Sequence, residues 1–398
     1  MTSSTKLKAS MIPEKTYLRF IFRIYGRSTG CSRPLTDTAV SSASATHMTL
    51  VVACLSRMMV EFTGMTLLVF KVNQLGDNVV YLPVVQSLMA AHPDWRIVVL
   101  TSPTAARLYD VCCPGVEIRT YATAAFNRAW LHPALLWHLW QEIRAFKPDA
   151  CLLGNDQGSM AHLLAACSGA RTKVGPQTNR VKLNGLLNLR LPSRSEEHVA
   201  VHNWRLAEAL MQHLRLPALP EKMPAPDLSG FGREEHGSVV IHAGASRAYK
   251  RWPLRYFIEL ANRLSAQHAV TWFGQGDPAE AALKPEVRRL KPGSLDDLIY
   301  VMAGAKYFIG NNSGPMNLAS ALGVPGMIFN GPSKPNWDPP WHGERFDILR
   351  DPKLACQPCD LLSHPVNACQ NKQRPMACME RWGVEEVHRR IETRLASA

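Results

Sequence analysis

From Thr66 onward the chain alternates short apolar segments of strand length with longer amphipathic segments of helical length, and this alternation restricts the fold more than any other feature. Leu67 to Val72, Ile97 to Leu100 and Ala150 to Leu153 are expected as strands. Between and after them, Val79 to Ala91, Leu135 to Phe146 and Ser159 to Cys167 are expected as helices. Strands separated by helices pair in parallel, with the helices covering both faces of the sheet. A second series begins at Val239 to His242. Pro253 opens a helix whose Leu254, Phe257, Ile258, Ala261 and Leu264 share one face. The strand Val270 to Phe273 follows, then a helix begun by Ser294 with Asp297 three residues on, then the strand Tyr307 to Ile309.

The reading is therefore α/β, with two doubly wound Rossmann-like domains facing a cleft. At 398 residues the chain is long enough for two such domains. Residues 1–64 carry little periodicity and are expected as a poorly ordered N-terminal extension. Residues 65–220 form the first domain. The stretch Leu216 to Gly232, rich in Pro and Gly, marks a linker placed at 221–236, and residues 237–398 form the second domain. With 46% hydrophobic and 19% charged residues, the chain can bury a large core. Its longest apolar runs are broken by charge before the ~20 residues of a membrane-spanning helix. A cytoplasmic protein is expected, with room for peripheral contact at the inner membrane face. The net charge of +13 attracts anions, but no basic run interleaved with aromatics suggests nucleic acid.

In open α/β sheets, ligands bind beyond the carboxyl ends of the strands. Gly310 to Met316 directly follows one strand and opens a helix, with Pro315 in its first turn, so its free amides suit a phosphate, or Ser313 acts as an ordinary cap. Gly244, Ala245 and Ser246 follow another strand, ahead of Lys250, a cation able to neutralise a leaving diphosphate. After the first strand, Asn73 to Asp77 occupies the matching place. Asp77 suits either a helix cap or a general base, and the single glycine argues against a dinucleotide fingerprint.

Across these segments the chain resembles the glycosyltransferase family that contains the lipopolysaccharide heptosyltransferases. The resemblance runs from about Met65 to His388 and rests on LLVFKVNQLGDNVVYLP (67–83), IHAGASRAYKRWP (241–253), GNNSGPMNLASALGVP (310–325) and FNGPSKP (329–335). It implies a GT-B fold and an inverting transfer that needs no cofactor or catalytic metal. A nucleotide diphosphate sugar such as ADP-heptose would sit on the C-terminal domain, and a phosphorylated lipid-linked saccharide on the N-terminal one. Carried over, Asp77 is the base and Lys250 a diphosphate contact, while Gly244, Ala245, Ser246, Asn312, Ser313, Gly314, Pro315, Met316 and Asn317 cradle the donor. Asn312 and Asn317 stand where that pattern commonly has Asp and His. Transfer of a different nucleotide sugar, or a non-catalytic sugar-nucleotide or glycolipid binding protein, are the alternatives.

Two further clusters stand out. Arg171, Lys173, Arg180, Lys182, Arg190 and Arg194 form a basic block without an acid, read either as an acceptor-binding surface or as a solvated loop. Cys356, Cys359, Cys369 and Cys378 have the spacing of a structural Zn or Fe site, with disulfides or inert thiols as the other readings. The remaining six of the ten cysteines show no framework spacing, which fits a reducing compartment.

Overall fold

A computed structural model describes residues 64–178, 181–194, 196–291, 294–359, 366 and 368–397. Apart from residue 64, the expected N-terminal extension lies outside the described residues, as does Arg180. The first half runs β1 (Thr66–Lys71), α1 (Leu75–Ala91), β2 (Arg96–Thr101), α2 (Pro103–Cys112), β3 (Glu117–Thr120), α3 (Thr123–Asn127), α4 (Pro133–Ala145), β4 (Ala150–Leu153), α5 (Ser159–Cys167), β5 (Thr172–Pro176), α6 (Val181–Asn184), β6 (Leu189–Leu191) and α7 (Val199–His213). The second runs β7 (Val239–His242), α8 (Leu254–Leu264), β8 (Val270–Phe273), β9 (Arg288–Leu290), α9 (Leu295–Ala303), β10 (Tyr307–Asn311), α10 (Gly314–Ala321), β11 (Gly326–Phe329), β12 (Phe346–Leu349), α11 (Ala377–Glu380) and α12 (Val384–Ala396).

Each half builds a parallel six-stranded sheet, in the orders β3-β2-β1-β4-β5-β6 and β12-β11-β10-β7-β8-β9. Both orders have the same logic. The first and fourth strands of each half lie side by side at the centre, where the winding reverses and a crevice opens at their carboxyl ends. The central strands are buried on both faces, as their continuous apolar runs require. Alternate residues of β1 serve different cores: Leu67 and Val69 one, Leu68 and Phe70 the other. Ser294 and Asp297 form the reciprocal capping box that starts α9.

The two halves do not sit apart. Ile299, Leu318, Ala321 and Trp341 from the second share a core with Val69 and Leu82 from the first. Arg107 of α2 also pairs with Asp296 of α9 at 2.8 Å. The stretch read as a linker packs into this core through Leu219, Leu228 and Phe231. Gln86 clamps Asp227 through its carbonyl oxygen and its backbone amide, at 2.8 and 3.0 Å, and Trp341 Nε1 donates to the Pro224 carbonyl at 3.0 Å. α1 is buried on all sides between its own sheet and α10, which explains why its sequence is apolar all round.

Candidate active site

The crevice of the first sheet is formed by the segments after β1 and β4. Asp77 lies in the first turn of α1 and is half-buried, with its carboxylate accepting the Gln74 backbone amide at the helix start. Burial first, and then the charge of Asp156, push its pKa from 3.8 up to about 6, while Lys71, the Gln74 amide and Lys250 pull it back. Asp156, after β4, is held in place from two sides. Lys71 Nζ meets its Oδ1 at 2.6 Å, and Asn73 Nδ2 donates to its Oδ2 at 2.8 Å. Lys71 is 1% exposed, so removing Asp156 would strand a buried cation. Sequence reasoning missed both residues. The available signal was a lysine closing an apolar strand, a position that demands a buried anionic partner.

The second crevice is formed by the segments after β7 and β10, joined by Asn311, which the sequence places in the Gly310 to Met316 segment without assigning it a role of its own. Asn311 is fully buried; its Oδ1 accepts the Trp252 amide at 2.9 Å, and its Nδ2 donates to the Ala243 carbonyl at 2.8 Å. Trp252 stacks on Phe329 with centroids 4.2 Å apart, which anchors the segment carrying Lys250. Gly244 and Ala245 lie in this segment, where Arg251 Nε donates to the Ala245 carbonyl at 2.8 Å, and Ser246 is exposed. His242, at the end of β7, has its pKa lowered to about 4 by burial, so it is neutral at physiological pH.

The loop between β10 and α10 departs from the expected cradle. Ser313 makes no side-chain cap; its hydroxyl donates to the Asn311 carbonyl at 3.2 Å. Met316 is packed inside the second half's core beside Phe308 and Ile328, and Pro315 is buried, so neither side chain is presented to a donor. Asn312 Nδ2 donates to the Trp337 carbonyl at 2.7 Å, and Asn317 Nδ2 to the Gly76 carbonyl at 3.1 Å. Both asparagines thus have their amide nitrogens engaged by backbone carbonyls. Gly314 admits a neighbouring backbone where a phosphate was expected, since a Cβ there would lie 3.3 Å from the Gly76 amide nitrogen.

This contact brings the N-termini of α1 and α10 together, so two positive helix ends meet at one place. A Cβ on Gly76 would fall 2.8 Å from Gly314 Cα and 3.0 Å from Asn317 Nδ2. Gly76→Ala is accordingly expected to lower stability by about 1–3 kcal/mol, opposite in sign to an ordinary glycine-to-alanine change in a helix. Urea denaturation of the variant tests this, and a midpoint equal to or above that of the wild type would refute the close approach.

Between the two crevices lies a cavity of about 10 Å³, lined by Lys71, Asp77, Asn155, Asp156 and Asn203 of the first half and by Asn317, Trp337 and Asp338 of the second. That is room for about one water. Asn155 and Asn203 are buried, and each leaves its amide NH₂ without a partner among the described residues. His198 tethers the rim: its Nδ1 accepts the Ala200 amide, and its Nε2 donates to the Asp338 carbonyl at 2.8 Å.

The basic block does not converge on this cavity. Arg171 precedes β5 and its amide bonds to the Asp149 carbonyl, at the amino-terminal edge of the sheet and away from Asp77. Lys173 pairs in register with Cys151 and folds back, its Nζ donating to the Ala170 carbonyl at 2.8 Å. Parallel strands carry these two residues to the wrong end for acceptor binding in the cleft. Lys182, on α6 beyond the carboxyl end of β5, is exposed on the cleft side.

Among the described residues no group of three or more His, Cys, Asp or Glu side chains is placed to hold a metal ion, so the expected site at Cys356, Cys359, Cys369 and Cys378 is not found there. The thiols have other partners. Asn371 Nδ2 donates to Cys356 Sγ, and the Met376 amide donates to Cys369 Sγ at 3.4 Å. Cys378 is held protonated by burial and by its neighbours Cys359, Cys369 and Cys356, which push its pKa up to about 12.

Residues 136–365 match the profile of glycosyltransferase family 9 (heptosyltransferase), which is more than half of the chain. The chain belongs to glycosyltransferase family 9. A lipooligosaccharide heptosyltransferase 2 of Campylobacter jejuni is 28% identical to this family 9 chain over 155 residues, covering 35% of the chain and 48% of the relative. The chain thus aligns with about half the length of that relative. Two solved structures share the fold. The Escherichia coli heptosyltransferase WaaC with ADP has a TM-score of 0.61 at 16% identity, covering 83% of this chain and all of that one (100%). The Escherichia coli ADP-heptose lipopolysaccharide heptosyltransferase II has a TM-score of 0.60 at 21% identity, covering 84% and 99%. This fold is the GT-B arrangement expected from the sequence.

Proposed function

We propose that this family 9 chain is an inverting glycosyltransferase that moves a heptose or related sugar from a nucleotide diphosphate donor, ADP-heptose first, onto a lipopolysaccharide core saccharide. The observation that carries this reading is that Lys250 of the second half lies near enough to Asp77 of the first for its charge to lower the Asp77 pKa across the cleft. In the reaction Asp77 takes the proton of an acceptor hydroxyl as that oxygen attacks the anomeric carbon. The bond from that carbon to the diphosphate oxygen breaks, and its electron pair leaves with the nucleotide. Lys250 and the paired helix ends meet the charge that develops there. The unpartnered amides of Asn155 and Asn203 are available to acceptor oxygens beside Asp77.

The positive field comes from the protein itself in this reading, so ADP is expected to bind with chelator present. Titration calorimetry with ADP and EDTA tests binding, and ADP release from ADP-heptose with a deacylated core oligosaccharide tests transfer. Loss of ADP binding on chelation would overturn the metal-free cradle; binding without turnover would favour the non-catalytic alternative.

A further inference from the structure

The strongest unassigned feature is an aromatic surface on the first half. Six large hydrophobic side chains are exposed among the described residues, and four of them, Trp130, Leu131, Trp137 and Leu163, belong to neighbouring elements. Trp130 and Leu131 lie on the turn between α3 and α4, Trp137 on α4, and Leu163 on α5, which packs against both helices. Trp130 is 63% and Trp137 57% exposed, an arrangement that costs solvation energy unless something covers it.

The sequence supplied enough apolar residues to avoid this. The inner side of the same segment buries Phe126, Leu139 and Ile143 against the sheet. The outward tryptophans are therefore surplus to the core. They are set among cations: Arg128, Arg144 and Lys147 are exposed on the same segment, and Arg144 lies over the Trp140 ring at 5.5 Å. The nearby acid, Glu142, is engaged by Arg119 and Tyr121. On α6, which packs against α5, Lys182 adds a further exposed cation. Indole rings flanked by basic side chains match the headgroup region of a bilayer, where the ring sits at the polar boundary and the cation meets anionic lipid.

Position links the surface to the cleft. α3 begins at the carboxyl end of β3, the sheet edge that also carries the Asp77 segment. Asn127, at the end of α3, comes within 3.9 Å of a Cβ built on Gly158, two residues from the cavity-lining Asp156. We infer that the surface formed by Trp130, Leu131, Trp137 and Leu163, with Arg128 and Arg144, docks on an anionic lipid bilayer and presents the cleft mouth to a lipid-linked acceptor. The docking rests on this geometry; its use in catalysis rests on the function proposed above.

The test uses the full chain and vesicles containing 30% phosphatidylglycerol in phosphatidylcholine, without donor. Wild type is expected to float with these vesicles, far less with pure phosphatidylcholine, and to lose tryptophan emission when the lipid acyl chains are brominated. A Trp130→Ser, Trp137→Ser double variant should bind at least about tenfold more weakly, because binding scales with the apolar area inserted. Arg128→Glu should weaken binding roughly fivefold or more, and raised salt should mimic it. Transfer to a deacylated, soluble acceptor should stay unchanged in these variants, so a failed function and a failed surface are told apart. No flotation of wild type, or equal flotation of the double variant, overturns the inference. If the double substitution instead dissolves an oligomer and leaves flotation intact, the surface belongs to a second copy of this chain.

Discussion

Asp77→Asn is expected to lower turnover by about 10²- to 10⁴-fold, the contribution of a positioned general base, while donor affinity stays near that of wild type. The carboxamide keeps the shape, and its oxygen can still accept the Gln74 amide at the start of α1. A second readout separates catalysis from capping. The folded pKa of about 6 lies above the ordinary 3.8, so folding favours the neutral acid. The corresponding stability is fully present below about pH 3.8 and is lost as pH rises through about 6. At pH 8 the wild type therefore carries a half-buried, partly desolvated charge that the asparagine lacks. The variant should melt at a higher temperature than wild type at pH 8 and show a smaller difference near pH 4. Turnover of the wild type should rise through about pH 6, as the base loses its proton, and then level off. Undiminished turnover in the variant would remove Asp77 from the mechanism. A lower melting temperature at pH 8 would mean that the cap outweighs the cost of the charge.

Lys250→Ala is expected to have the second largest effect, about 10²- to 10³-fold in turnover, typical of deleting one group that stabilises developing negative charge. ADP affinity should fall more than adenosine affinity, because the charge is removed and the surface available to a nucleoside is left alone. The acid limb of the pH profile should also move upward. Lys250 lowers the pKa of Asp77, so its loss lets that pKa rise and delays ionisation of the base. Unchanged ADP affinity together with an unmoved acid limb would place Lys250 outside the cleft chemistry.

The strands buried on both faces were legible as apolar runs. Ala150–Leu153, Val239–His242 and Val270–Phe273 begin and end where expected. The strands not foreseen include all four sheet edges, β3, β6, β9 and β12. Edge strands are short, half exposed and tolerant of charge, as in Glu117–Thr120 and Arg288–Leu290, so they carry little apolar signal. β5, with Lys173 and Pro176 in its five residues, hides its pattern in the same way.

The sequence by itself determined two doubly wound sheets and the segments at which their strands end, while the roles of Asp77 and Lys250 are what the family resemblance implies and belong to the function proposed above. Local periodicity and loop composition carry that information because strand burial, helix starts and backbone-accessible glycines are decided over a few residues. Only the tertiary structure decided what those segments touch. Lys71 and Asp156 are 85 residues apart and meet because β1 pairs with β4. Asn317 reaches Gly76 across 241 residues because α10 packs end to end with α1. A side chain's length and charge are written locally, but its partner is set by which strands lie side by side and how closely two helices approach. For that reason Asn317, read as part of a donor cradle, also ties the second half to the first through Gly76, and part of a basic block lies at the far edge of its sheet.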